Sequence, residues 1–445
     1  MKNNWMHAGL VCLAFMASVV QARVIKEPPA VLSPRDRVEV VNEILTERLN
    51  VLLPQLMQES DLDMWLVIHR EYSEDAFFYT LVPQPTFAAR RTTILVFVKT
   101  DEGVERFSVS RYPIGEFYPT RWDGGSLEEQ WQRLAELIRK IDPERIGINT
   151  SKNWALADGL THGLHKELTK HLDKKYVNRL VSAENLVIRW LETRTSQEID
   201  LYPHVVSIAR GVISEAFSNK VITPGVTTTT DVSWYIRERF ESLGVRPWFQ
   251  PYVNVQRMGD DNPETATMMG KTGLVIERGD VLHTDVGICY LNLCTDTQEM
   301  GYVLRFAEKD APAGLKRALA DGNKWQDTLT REYKTGRSGN EILRRGKKSA
   351  EKAGLKASIY THPIGFVGHG VGPTIGMWDN QGDTPVRGDW KLYPNTAYAI
   401  EGNIKTQVKE WRNEWVQIKL EQVALFDGKA VHYVAGRQTE WHLVK

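Results

Sequence analysis

The chain has 445 residues, 25% of them charged and 42% hydrophobic, with 56 Lys plus Arg against 56 Asp plus Glu. That length exceeds a single core of common size and predicts two domains. A formal net charge of zero leaves no field to hold a polyanion, which excludes nucleic acid as a leading partner.

The first segment, MKNNWMHAGLVCLAFMASVVQARV, carries Lys2, an apolar run from Ala8 to Val20 and small or apolar residues at Val20-Gln21-Ala22. This is the layout of a secretory signal cut after Ala22. The run is short for ~30 Å of hydrocarbon, so no membrane anchor is expected after cleavage. Cys12 does not follow the small residue that a lipoprotein signal needs, and the mature chain is expected to be periplasmic or secreted. Ser33-Pro34 reads as the cap and first residue of a helix from about Asp36 to Glu59. Strands over 64–68, 92–98 and 145–149, interleaved with a helix over 127–141, predict an α/β domain with a mixed sheet. This half shows no titratable residues at a fixed spacing, and a scaffold or interface role is expected for it. A capping box at Thr195-Ser196-Gln197-Glu198 starts a helix, disturbed by Pro203, to about Asn219. Val232, Ile236, Phe240 and Leu243 mark one face of the next helix, which Gly244 ends. The expected division is therefore a signal over 1–22, a first domain over 23–194 and a second over 195–445.

Beyond Gly270 the pattern becomes that of antiparallel strands, with residues 279–303 fitting two strands and a short turn. Cys289 and Cys294 are expected to be two buried thiols beside this hairpin, a cross-strand disulfide being the alternative. Asp285 and Asp296 are carboxylates in apolar strands, and burying them is costly without a positive group between them. No Lys or Arg lies between Val281 and Glu299. Glu401, ending TAYAIEG, and Glu421, within VQIKLEQVALF, have similar strand settings. Four carboxylates with one histidine form a hard ligand set with one borderline nitrogen, suited to manganese, cobalt or zinc. Their four negative charges balance two divalent ions, about 3.5–4 Å apart, an arrangement that polarises a carbonyl and attacks it. Within THPIGFVGHGVGPTIG (361–376), either His362 or His369 can be the ligand, and spacing inside the stretch does not decide between them.

The order Asp285, Asp296 eleven residues later, His362, Glu401, Glu421 resembles that of the pita-bread metallopeptidases. These are the methionine aminopeptidases, Xaa-Pro aminopeptidases and prolidases, and residues from about 33 to 190 look like a creatinase-type N-terminal domain. The resemblance implies an α/β N-terminal domain followed by an α+β pita-bread domain with a curved antiparallel sheet. The family motif His-x-x-Gly-x-x-x-His fits His362, Gly365 and His369 with the ligand first. It implies two divalent ions, manganese before cobalt or zinc, held by Asp285, Asp296, His362, Glu401 and Glu421. Glu401 would also serve as general base for a metal-activated hydroxide, and His369 would donate to the oxyanion or the substrate backbone. A peptide substrate and a homodimer follow from the same likeness.

The pattern is broken in places. Related peptidases carry a further histidine seventeen or eighteen residues before the first Asp, where this chain has Met268 and Thr267. His283, two residues before Asp285, is the candidate catalytic substitute, with packing in the wall as its other reading. Lys419 replaces a frequent arginine as a substrate-binding cation. Trp378 is either the wall of a proline pocket or core. The implied function is a secreted dinuclear-metal peptidase cutting the N-terminal Xaa-Pro bond. The alternatives are a hydrolase of the same fold acting on a non-proline dipeptide, amide or ester, and a non-enzymatic binding member of the family.

Overall fold

The computed structural model describes residues 25–259 and 273–445. The signal-like segment, Thr267 and Met268 lie outside these residues. Helices α1 (Pro34–Glu47) and α2 (Leu53–Glu59) are joined by a π-helical turn at Arg48–Leu52. Ser33 caps α1, its side chain accepting from the Asp36 N–H, with Pro34 at the first helical position. Strands β1 (Met64–Arg70), β2 (Thr92–Thr100), β3 (Gly103–Ser108), β4 (Ile146–Ile148) and β5 (Leu180–Ser182) form a sheet in the order β3-β2-β1-β4-β5. The pairs β1–β2 and β2–β3 are antiparallel, whereas β1–β4 and β4–β5 are parallel, so the sheet is mixed. Helices α3 (Leu127–Ile141), α4 (His162–His171), α5 (Lys174–Val177) and α6 (Glu184–Glu192) accompany it. The sequence pattern missed β3 and β5, a charged edge strand and a three-residue one.

Thr195 and Glu198 form the expected capping box of α7 (Ser196–Ala216), which runs through Pro203. Helix α8 (Thr229–Ser242) buries Val232, Ile236 and Phe240, and Gly244 stands just beyond it with φ +70°. Then come β6 (Arg246–Pro247), β7 (Tyr252–Gln256), β8 (Val281–Val286), β9 (Ile288–Tyr290), β10 (Leu293–Cys294) and β11 (Thr297–Val303). Helices α9 (Ala313–Thr330) and α10 (Gly339–Lys352) precede β12 (Ala357–Ile359), β13 (His362–Ile364), β14 (Thr396–Val408), β15 (Glu414–Phe426), β16 (Val431–Tyr433) and β17 (His442–Val444).

The two strands expected over 279–303 are each interrupted. Their outer parts, β9 and β10, leave the large sheet and join β6 in a small one. Leu291 and Asn292 turn the hairpin with φ 54° and 59°, and the register sets Cys289 opposite Cys294. The expectation of two free thiols is corrected here, because the facing cysteines, with Cα atoms 4.0 Å apart, are joined by a disulfide. A two-residue turn makes them direct cross-strand partners, a relation that composition does not reveal.

The large sheet runs β12-β14-β15-β11-β8-β7, with β13 on β14, β16 on β15 and β17 on β11. Among these pairs only β11–β17 is parallel. Flat, β7 and β15 would lie three strand spacings apart, roughly 14 Å at ~4.8 Å each. Yet the Gln256 side chain donates to the Gln417 carbonyl at 2.8 Å and accepts from its N–H at 2.8 Å. The sheet therefore curls, and its polar row faces inward. One apolar cluster gathers α7, α8 and the strands they cover, and a second packs α9 and α10 against β14 and β15.

Candidate metal centre

Register builds the site. Direct cross-strand partners form one row across five strands: Tyr252 faces Asp285, Asp285 faces Gln298, Gln298 faces Glu421, and Glu421 faces Glu401. Side chains two apart on a strand share a face. Asp296, two residues before Gln298, therefore points the same way. His362 on β13 is paired with Ala399, two residues before Glu401, and completes an adjacent row.

The polar atoms converge. Asp285, Asp296 and Glu421 offer ligand atoms within 4.8 Å of one another, as do His362, Glu401 and Glu421, and also Asp296, His362 and His369. His362 Nε2 lies 3.4 Å from Glu421 Oε1, 3.6 Å from Asp296 Oδ2 and 3.9 Å from Glu401 Oε2. His362 Nδ1 is 2.9 Å from the Pro363 carbonyl, which can only accept, so Nδ1 carries the hydrogen and Nε2 presents its lone pair to the carboxylates. His362 Nε2, Glu421 Oε1 and Asp285 Oδ1 are buried without a hydrogen-bond partner. Orphaned buried acceptors facing one point are what a cation satisfies, and the oxygen-rich set with one imidazole fits a hard or borderline divalent ion.

The electrostatics agree. Burial raises every carboxylate: Asp285 to about 6, Glu401 to about 8, and Asp296 and Glu421 well above the ordinary range. Mutual repulsion reinforces burial for Asp296 and Glu421. Burial alone would lower His362, but Glu421 and Glu401 outweigh it and raise its pKa. Lys419, nearly buried, has its pKa lowered by burial despite Asp285 and Glu401.

His369 stays exposed overall, with its ring 4.8 Å from that of His362 and 5.0 Å from that of Trp248. Partial desolvation, then repulsion from His362 whenever that ring is protonated, lowers its pKa to about 4, so it is neutral at neutral pH. The structure brings both motif histidines to the cluster, His362 with its lone pair directed inward and His369 at the mouth. His283 is 1% exposed, and its Nε2 lies 2.8 Å from Gln298 Oε1. It sits in the wall, which corrects the reading of it as a substrate-facing catalytic group. Trp378 is 64% exposed, which removes the core reading of that residue.

Three contributors were missed from sequence. Tyr252 donates to Asp285 Oδ2 at 2.8 Å. Gln298 Nε2 donates to Glu401 Oε1 at 2.5 Å and Glu421 Oε2 at 2.9 Å. Trp248, its Nε1 donating to the Thr295 carbonyl at 2.9 Å, backs His369. Gln298 had a usable signal, since it lies two residues after Asp296 in a strand. Tyr252 and Trp248 had none, being joined to the site only through register and loop path.

Residues 201–427 match the sequence profile of Metallopeptidase family M24. No curated protein matches the chain. Solved structures of similar fold include an X-Pro aminopeptidase from Thermotoga maritima MSB8, with TM-score 0.62 and 16% identity over 88% of this chain and 100% of that one. An Xaa-Pro dipeptidase from Bacillus anthracis has TM-score 0.60 and 16% identity over 93% and 100%. The N-terminal domain of FACT complex subunit SPT16 from Cicer arietinum has TM-score 0.51 and 13% identity over 92% and 98%. At these identities the likeness establishes the two-domain fold and its large antiparallel sheet.

Proposed function

The chain belongs to metallopeptidase family M24, and from that premise we propose that it is a secreted, dinuclear-metal peptidase hydrolysing the N-terminal Xaa-Pro bond of peptides. The observation that carries the reading is the convergence of Asp285, Asp296, His362, Glu401 and Glu421, with three buried atoms lacking any partner. These five residues would hold two divalent ions, manganese before cobalt or zinc. When bound, the ions supply a Lewis acid for the scissile carbonyl and acidify water to a nucleophile near neutral pH.

The chain's own residues do the rest. Glu401 Oε2, the oxygen that Gln298 does not hold, is the position for the proton taken from the attacking water. Gln298 holds the other Glu401 oxygen and so fixes which one faces the water. His369, neutral and at the mouth, donates a ring N–H to the carbonyl oxygen as negative charge develops there. Lys419, buried two residues before Glu421 on β15, would supply a positive charge beside the acids, and Trp378 is exposed and free to meet a substrate ring.

Secretion is supported by the composition of residues 1–22 and by the Cys289–Cys294 disulfide, a bond favoured in oxidising compartments. Among the described residues no helix is long and apolar enough to cross a membrane. The division into domains at 194/195 and the homodimer belong to the same proposal. A monomer on sizing would remove the dimer without touching the chemistry.

The test is mass-spectrometric cleavage of Xaa-Pro, Xaa-Pro-Yaa and matched Xaa-Ala peptides, after chelation and after restoring manganese, cobalt or zinc. Metal-restored, proline-dependent cleavage is expected, together with its loss in a folded Asp296→Asn variant. Unchanged turnover in that variant would sink the metal mechanism, and faster turnover of Xaa-Ala would sink the proline specificity.

A further inference from the structure

We infer that Gln298 is the positioning residue of this centre, one side-chain amide that sets the orientation of two glutamates, and that His283 supports the centre through its hydrogen bond to that amide. The inference rests on the metal reading above.

Gln298 is 2% exposed, in the middle of the cross-strand row. Its –NH2 group has two hydrogens and two acceptors, Glu401 Oε1 at 2.5 Å and Glu421 Oε2 at 2.9 Å. The orientation of the amide follows from its partners. With both glutamates ionised, as a bound cation would keep them, each carboxylate only accepts, so the nitrogen faces both of them and the oxygen faces His283. Gln298 Oε1 then accepts from His283 Nε2–H at 2.8 Å, which fixes the imidazole tautomer and stops the amide from flipping.

Glu401 and Glu421 are direct partners on adjacent strands, where like charges repel. The shared amide group offsets that repulsion on one side of the pair. Each glutamate keeps one oxygen directed toward His362 Nε2, Glu401 Oε2 at 3.9 Å and Glu421 Oε1 at 3.4 Å. One neutral side chain thus decides which oxygen of each acid is presented to a cation. His283, two residues before Asp285 on β8, makes no hydrogen bond of its own to Asp285, Asp296, Glu401, Glu421 or His362, and its hydrogen bond toward them runs through Gln298. Its ring also stands 6.1 Å from that of Tyr252, which bonds Asp285.

The experiment is manganese binding by calorimetry, with free manganese counted by electron paramagnetic resonance, on the mature chain and on Gln298→Met, His283→Leu and the double variant. Gln298→Met keeps length and removes the donor. It is expected to weaken manganese binding about 10–100-fold and to lower kcat on an Xaa-Pro peptide more than it raises KM. His283→Leu is expected to weaken binding less, and to add nothing in the Gln298→Met background. A folded Gln298→Met protein, with unaltered circular dichroism and melting temperature, that binds manganese as tightly as the unsubstituted chain overturns the inference. If that variant does not fold, an unaltered affinity in His283→Leu overturns it instead. An unsubstituted chain that binds no divalent ion would sink both this inference and the metal reading. One that binds manganese tightly but cuts no peptide would sink only the peptidase reading, with Gln298 still judged by its effect on affinity.

Discussion

Glu299 neighbours the site but faces away from it, and its burial makes a pH prediction with a definite sign. The carboxylate is 1% exposed, with Oε1 2.6 Å from Arg210 Nε and Oε2 2.5 Å from His442 Nε2. Burial alone would raise its pKa, but the Arg210 charge and the His442 bond outweigh burial and hold it at about 2, against 4.5 ordinarily. A gap of about 2.5 pH units at ~1.36 kcal/mol per unit is worth ~3 kcal/mol at neutral pH. Because the folded pKa lies below the unfolded one, this stability is fully present above pH 4.5 and is lost as the pH falls through about 2. Urea unfolding of the wild type and of Glu299→Gln, from pH 7 down to pH 3, isolates this group from the others that titrate in that range. The variant should be weaker by ~3 kcal/mol at pH 7, since Arg210 stays buried without its counter-charge. The difference should shrink steadily below pH 4.5. A difference equal at pH 3 and pH 7, or absent at both, would refute the reasoning.

Two further predictions concern the loop and hairpin that frame the centre. A Cβ on Gly368 would stand 2.2 Å from the Trp248 indole. Gly368→Ala should therefore lower stability by about 1–3 kcal/mol and reduce kcat through His369, read from thermal melts and steady-state rates. The disulfide closes a short loop between Cys289 and Cys294. Its reduction, or the paired Cys289→Ser, Cys294→Ser variant, should cost about 2 kcal/mol. Thiol trapping before reduction should label neither cysteine, and labelling of both would remove the bond.

The parts of the fold legible in the sequence are those governed by local rules. The capping box at Thr195–Glu198, Pro34 behind Ser33 and Gly244 after α8 each satisfy a helix end within a few residues, so the pattern marks them. The cluster of candidate ligands was legible for another reason: charged side chains in apolar strands contradict their surroundings and call for a partner. Gln298, Tyr252 and Trp248 create no such contradiction. A neutral glutamine in a strand or a tyrosine in an edge strand is ordinary; the spacing from Asp296 puts Gln298 on the right face, but what either residue bonds appears only when the register aligns it with Asp285 or Glu421. The disulfide escaped for the same reason, because pairing depends on the two-residue turn at Leu291-Asn292 rather than on the spacing alone.

Register also explains why the acids can be buried at all. Strands β8, β11, β15 and β14 each contribute one residue to the row, and three of those four are acids, with Gln298 as the neutral member between Asp285 and Glu421. A fourth acid in place of Gln298 would set carboxylates on adjacent strands in an unbroken line, with like charges facing at every step. An apolar residue there would leave Glu401 Oε1 and Glu421 Oε2 as two more buried acceptors without donors, on top of those already turned toward the centre. A glutamine avoids both penalties. It satisfies the oxygens on one side of the glutamates and leaves the opposite oxygens turned toward His362 Nε2. The row is thus divided into a face closed by hydrogen bonds and an open face, and on the proposed reading metal and hydrolytic chemistry would occupy the open one.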